Sequence, residues 1–273
     1  MAPTAAADRR IFDAAPRRGA QADRRRSETE PPDIATDEIH VESAFGATPI
    51  RVLTYRPVTS DDPLPVIVHI HGGGFVMGAP EMKDVENRLF ASELRCAIYS
   101  VDHRLAPEAP HPAPLEDIYS VFAWLHANAG QLGLDPARIG IKGESGGGGF
   151  AAAGALYARD RQGPKFAFQH LIYPMIDDRT AVRKDLHPYV GEFVWTQENN
   201  YFGWRSARKL SLVAAKPGVS NDTLKRADLA DASDCCALLP ARQFTGHRKI
   251  KMPEKFLRRI VSPAIDSAKG KSA

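Results

Sequence analysis

Val66-Ile67-Val68-His69-Ile70 is a short apolar run that stops just before three glycines, Gly72 to Gly74. A run without polar alternation offers no face to water, so it predicts a strand covered on both sides. Further strands are predicted at Ala97–Val101, Ile139–Ile141 and Phe166–Tyr173, with an alternating one at Ile50–Tyr55. Helical stretches fall between them at about 81–95, 114–130 and 146–160. In the second, Leu115, Ile118, Val121, Phe122 and Leu125 share one face. This alternation predicts an α/β fold: a mostly parallel sheet with helices on both faces. In such sheets ligands sit beyond the carboxyl ends of the strands, and the chain's two glycine motifs fall there.

Gly143-Glu144-Ser145-Gly146-Gly147 matches G-x-S-x-G between a predicted strand and a predicted helix, the context in which that motif presents a serine nucleophile. The turn must be so tight that flanking side chains would strike strand and helix. It lifts the Ser145 hydroxyl off the sheet, and the helix N-terminus behind it favours developing negative charge. Two nucleotide readings fail. Gly146-x-Gly148-x-x-Ala151 fits a dinucleotide loop, but that loop expects an acid about 20 residues on. The chain there reads Phe166-Ala167-Phe168-Gln169. A phosphate loop would close on Gly-Lys-Ser or Gly-Lys-Thr, and this one does not.

His71-Gly72-Gly73-Gly74 follows the strand that ends at Ile70. Bare glycines let backbone N–H groups approach a ligand. Acyl transfer builds an alkoxide, and each preorganised donor is worth roughly 2.7–4 kcal/mol to it. His69 and His71 could face one way as a metal pair, but no Asp, Glu or Cys stands at ligand spacing, so no metal is expected. His71 is expected to brace the loop, and His69 and His103 to be structural.

With these motifs placed, the chain resembles the hormone-sensitive-lipase-like family of α/β hydrolases. The likeness is carried by His71 to Gly78, Val101-Asp102-His103-Arg104-Leu105-Ala106-Pro107-Glu108, Leu134 to Ile139, Gly143 to Gly147, and Leu171-Ile172-Tyr173-Pro174 with Asp177-Asp178. It runs from about 37 to about 230. The resemblance implies an α/β-hydrolase fold with a small helical cap. It implies a serine esterase acting on small to medium acyl esters without a cofactor. It implies Ser145 as nucleophile and the N–H groups of Gly73, Gly74 and Gly146 as the oxyanion hole. Most relatives carry alanine where this chain has Gly146, and that exchange is expected to be tolerated. Residues around 180–210 and the N-terminal segment would form the cap, with Phe75, Trp195 and Tyr201 as candidates either to line the acyl pocket or to pack in the core or cap.

The family order is Ser, acid, His. After about Asp231 the likeness stops, and no Asp-Pro-Leu-x-Asp-Glu acid loop follows. The triad acid is therefore unassigned, and His247 is the sole histidine beyond His187. Pairing His247 with Asp231 or Asp234 leaves too little room, since a parallel crossover takes at least about 10–12 residues and a strand about 5 more. A serine without its base keeps only about 10³–10⁴-fold catalysis over water, so weak or undetectable turnover is expected. The last family strands are expected to be missing, leaving 166–173 at a sheet edge. The alternatives are an inert relative that binds a small molecule under the cap, and the product of a shifted reading frame.

Net charge is +3 overall, yet residues 205–273 hold 15 Lys/Arg against 6 Asp/Glu. With only Phe244 and Phe256 as aromatics there, a nucleic-acid surface is not expected. The expected organisation is a polar leader at 1–36, a hydrolase domain at 37–230 and a basic tail at 231–273. The leader's arginine clusters lack the apolar run of an export signal. No stretch is long and apolar enough to span a bilayer. Cys96, Cys235 and Cys236 make a poor disulfide framework, so a reducing, cytoplasmic setting is expected. The expected partner is a small ester, and assembly into a homo-oligomer stays open.

Overall fold

The computed structural model describes residues 33–208 apart from 61, 185–186, 188–190 and 192. Six strands form one sheet: β1 (Ile34–Val41), β2 (Ile50–Pro57), β3 (Leu64–Ile70), β4 (Ala97–Val101), β5 (Leu134–Glu144) and β6 (Gln169–Ile172). Their order across the sheet is β1-β2-β4-β3-β5-β6. β1 and β2 enter antiparallel, whereas β4, β3, β5 and β6 pair in parallel. The helices are α1 (Asp84–Leu94), α2 (Ala113–Leu132), α3 (Gly146–Asp160) and α4 (Gln197–Arg208).

Every residue of β3 is buried, as its unbroken apolar run requires. Its side chains alternate between two cores. Val66, Val68 and Ile70 join Tyr99, Val101, Ile139 and Ile141 under α2 and α3. Ile67 joins Leu53, Tyr55 and Ile98 under Phe90, Ala91 and Leu94 of α1. The apolar face of α2 is sealed, with Leu115 at 4% exposure and Ile118, Val121, Phe122 and Leu125 at 0%. Each such burial contributes about 1.5–3 kcal/mol. α2 ends at Gly133, whose left-handed φ of 62° turns its N–H back onto Ala129 and Gly130.

Differences from the sequence reading are local. β1 begins at Ile34, so 34–36 belong to the sheet and not to the leader. The strand expected at 139–141 extends over Leu134–Glu144, with Leu134 and 139–143 registered on β3 and 141–144 on β6. The strand expected at 166–173 shortens to Gln169–Ile172, none of it fully buried. It pairs with β5 alone among the described residues. The helix expected at 81–95 opens as a 3-10 turn at Pro80–Lys83. The family strands expected to be missing would fall after 208, outside the described residues.

β3 and β5 are parallel neighbours with Ile70 opposite Gly143. Chain continuing upward from both therefore brings the glycine loop and Ser145 side by side.

Candidate active site

Ser145 follows β5 directly and precedes α3. Its backbone sits at φ 55°, ψ −121°, a conformation that costs on the order of 1–3 kcal/mol for a residue with a side chain. Neighbours hold it there. The Ser145 N–H donates to the Ile172 carbonyl at 3.0 Å, and its own carbonyl accepts from Met175 at 2.9 Å and Gly149 at 3.1 Å. The end of β6 thus clamps the turn. Gly147 is dictated by close approach, since a Cβ there would overlap the carbonyl oxygens of Ile70 and His71.

The glycine loop rises against this turn. A Cβ on Gly72 would lie 3.6 Å from the Ser145 Cβ. A Cβ on Gly146 would lie 3.0 Å from the Gly74 nitrogen and 2.9 Å from that of Phe75. Neither of those two N–H groups donates to a backbone carbonyl among the described residues. The backbone nitrogens of Gly74 and Phe75 thus lie beside the serine turn. A methyl at 146 would need the loop to yield by a few tenths of an ångström.

Gly74 has φ +57°, and a Cβ on it would run into the indole of Trp195. Trp195 is half-buried and packs on the loop from the segment before α4. Phe75 is 3% exposed and its ring packs against Phe150 and Trp204, at centroid distances of 4.8 and 4.9 Å. It therefore anchors the loop from the core instead of lining open space. Tyr201 packs partly buried against the same core.

His71 braces the loop, its Nδ1 2.8 Å from the Gly72 carbonyl and its ring stacked on His103 at 4.3 Å. Burial, then the neighbouring His71, pushes the His103 pKa down to about 3. His69 is fully buried, with Nδ1 2.8 Å from Ser100 Oγ and 3.3 Å from Asn87 Nδ2. Burial lowers its pKa and keeps it neutral.

Beneath the turn lies a charged cluster that the sequence reading missed. Lys142, inside β5 and 1% exposed, holds Glu86 of α1 at 2.9 Å and Glu144 at 3.5 Å. Glu144 also faces His69 Nε2 at 3.4 Å and Lys83 at 3.8 Å. Burial would raise the Glu144 pKa, but His69 and the two lysines outweigh it and hold it at about 2. The carboxylate beside the nucleophile turn is thus ionised and fixed. The signal was legible: a lysine within an otherwise apolar strand needs a buried counter-charge.

Asp231, Asp234 and His247 lie outside the described residues. Among the described residues no histidine or carboxylate is hydrogen-bonded to the Ser145 hydroxyl. No described helix is long and apolar enough to cross a membrane.

A strained serine on a strand–helix turn, faced by a glycine loop from the adjacent parallel strand, matches one family by sequence as well. A model of the alpha/beta hydrolase fold matches residues 67–237. The chain belongs to the α/β-hydrolase family. Within it the chain falls in the hormone-sensitive-lipase-like branch. It is 43% identical over 129 residues to the carboxylesterase NlhH of Mycobacterium tuberculosis, covering 47% of this chain and 40% of that protein. Among solved structures it is similar to a bacterial heroin esterase, with a TM-score of 0.61 at 34% identity over 65% of this chain and 56% of that one. It is also similar to the hyperthermophilic esterase of the archaeon Pyrobaculum calidifontis, with a TM-score of 0.59 at 34% identity over 69% and 61%. The matched part of this α/β hydrolase thus spans less than two thirds of each of these relatives.

Proposed function

We propose that the chain is a carboxylic ester hydrolase that acts on small to medium acyl esters through an acyl-enzyme on Ser145. The observation that carries this is the Ser145 backbone, held at φ 55° at the head of α3 with the Gly74 and Phe75 nitrogens beside Gly146. Attack of the hydroxyl on an ester carbonyl moves charge onto the carbonyl oxygen. The N–H groups of Gly73, Gly74 and Gly146 are the donors for that oxygen, with the α3 dipole adding to them. Collapse of the tetrahedral intermediate breaks the ester C–O bond and releases the alcohol, which carries off the serine's proton; water then attacks the acyl-enzyme, releasing the acid and restoring the hydroxyl. The relatives named as esterases support the reaction class.

A serine hydroxyl needs an adjacent base, and His247 is the candidate that the sequence leaves. No family acid loop accompanies it, so the acid is unassigned and we propose that turnover by this 273-residue polypeptide is low. We also propose that the hydrolase body runs from β1, at Ile34, to about 230, with residues around 180–210 contributing to a cap over the acyl site. The test is hydrolysis of p-nitrophenyl butyrate by the parent and by Ser145→Ala. Turnover above background that vanishes in the variant supports the reading. Equal turnover in both sinks it.

A further inference from the structure

We propose that residues 253–261 form a short amphipathic helix that docks on the outer face of α1, beside β6. Among the described residues that face is open. Met82 of the leading 3-10 turn, with Val85 and Leu89 of α1, are 64%, 51% and 41% exposed. Their spacing of three and four puts them in one stripe. The opposite side of α1 is the buried one, with Asn87, Phe90, Ala91 and Leu94. A helix apolar on two sides belongs between two layers. The stripe leans toward β6. From the same turn, Glu86 reaches Lys142 of β5 at 2.9 Å. Across the β5–β6 ladder, Lys142 lies opposite His170 and Glu144 opposite Ile172. His170 and Ile172 therefore project to the α1 side of the sheet, and both are only half-buried. They are the floor of a shelf that α1 walls with Val85, Glu86 and Leu89.

The chain holds a segment that fits this shelf. Pro253-Glu254-Lys255-Phe256-Leu257-Arg258-Arg259-Ile260-Val261 opens with proline, carries an acid in its first turn and two arginines near its end, and is followed by Pro263. Those are start and stop signals of a helix. Wound as one, the segment places Phe256, Leu257, Ile260 and Val261 on one face, away from Lys255, Arg258 and Arg259. A helix this short is marginal alone in water, so its apolar face needs a surface. Lengths match: the stripe from Met82 to Leu89 runs about 10 Å and the face from Phe256 to Val261 about 8 Å, at roughly 1.5 Å per residue. Charge favours the same pairing. α1 and its leading turn carry Glu81, Asp84, Glu86 and Glu93 against Lys83 and Arg88, and Glu81 and Glu93 are exposed. The segment carries Lys255, Arg258 and Arg259 against Glu254. A second copy of the α1 face, packed on the first about a two-fold axis, would instead set acid against acid.

Photocrosslinking in the full chain tests this. p-Benzoylphenylalanine replaces Leu89 in one protein and Val85 in another; both positions are exposed, so neither replacement disturbs the core. Irradiation adds a nearby C–H bond across the ketone, forming a C–C bond and a hydroxyl, and peptide mass spectrometry locates the product. The expected product has the mass of one chain and joins position 85 or 89 to 256–261. Ile260→Asp puts a carboxylate into the apolar contact and should cut the yield at least about tenfold, while Ile260→Leu keeps it. A product of twice the chain mass would mean that a second copy covers the stripe, and overturns the proposal. So does a link to other segments alone, or no link from either position. An unchanged yield in Ile260→Asp overturns the apolar face as the contact. None of these outcomes depends on Ser145 being the acylated residue.

Discussion

Gly74→Val strikes the loop where its geometry is most demanding. The residue sits at φ +57°, and its added Cβ would overlap Trp195. The structure directs the new side chain into the indole. Two costs follow. A branched side chain in the left-handed region is worth roughly 1–2 kcal/mol, which lowers the melting temperature of a protein this size by about 2–8 °C. Relief of the overlap shifts the loop, and losing one oxyanion donor costs about 10²–10³-fold. The assay is ethylboronate affinity by calorimetry, with a thermal melt alongside. If the overlap causes the shift, Trp195→Ala added to Gly74→Val recovers part of the affinity, a coupling of about 0.5–3 kcal/mol. Parent-like affinity in Gly74→Val would refute the placement of the donor. Simple additivity of the two changes would refute the overlap as its cause.

Three further outcomes are expected. Lys142→Met removes the buried cation between Glu86 and Glu144 and leaves them only the half-buried Lys83. Breaking such a pair costs about 3–5 kcal/mol, and the lower end applies because Glu86 is 30% exposed; the melting temperature should fall by about 6–12 °C, and an unchanged melt would contradict the cluster. His103 has its pKa pushed below the ordinary 6.5 to about 3, so its contribution is full above 6.5 and is lost as pH falls, by about 1.4 kcal/mol per unit. The melting temperature should decline from pH 7 to pH 5, less steeply in His103→Phe, and a flat parent profile would count against a buried neutral ring. Glu144 is likewise depressed, from 4.5 to about 2, so its contribution, on the order of 3 kcal/mol, is full above 4.5 and is lost between there and about 2; Glu144→Gln should flatten the acid-unfolding curve in that window.

Much of the scaffold was legible because periodicity and burial coincide. The unbroken Val66–Ile70 run is buried on both faces, and the α2 stripe from Leu115 to Leu125 is sealed. The placement of Ser145 was legible for a steric reason, since only a strand–turn–helix of this tightness needs glycines on both sides of the serine. β1 was missed because Thr36-Asp37-Glu38 reads as polar leader; its register with β2, not its own side chains, makes it a strand. Phe75 stayed open between pocket lining and core packing because sequence cannot tell a ring that lines a pocket from one that anchors the loop from below. The Glu86–Lys142 pair joins residues far apart in the chain, and only the packing of α1 on β5 brings them together. Trp195 on Gly74 is likewise a tertiary contact that no local pattern encodes.

The central claim is that Ser145 is the residue presented for acylation. A fluorophosphonate probe phosphonylates an activated serine hydroxyl irreversibly, and peptide mass spectrometry locates the adduct. The account predicts a single adduct on Ser145, formed slowly in the parent and absent from Ser145→Ala. Rapid stoichiometric labelling at Ser145 would keep the nucleophile but show that a working base is present, overturning the low turnover. An adduct on any other residue, or equal labelling of Ser145→Ala, would contradict the account.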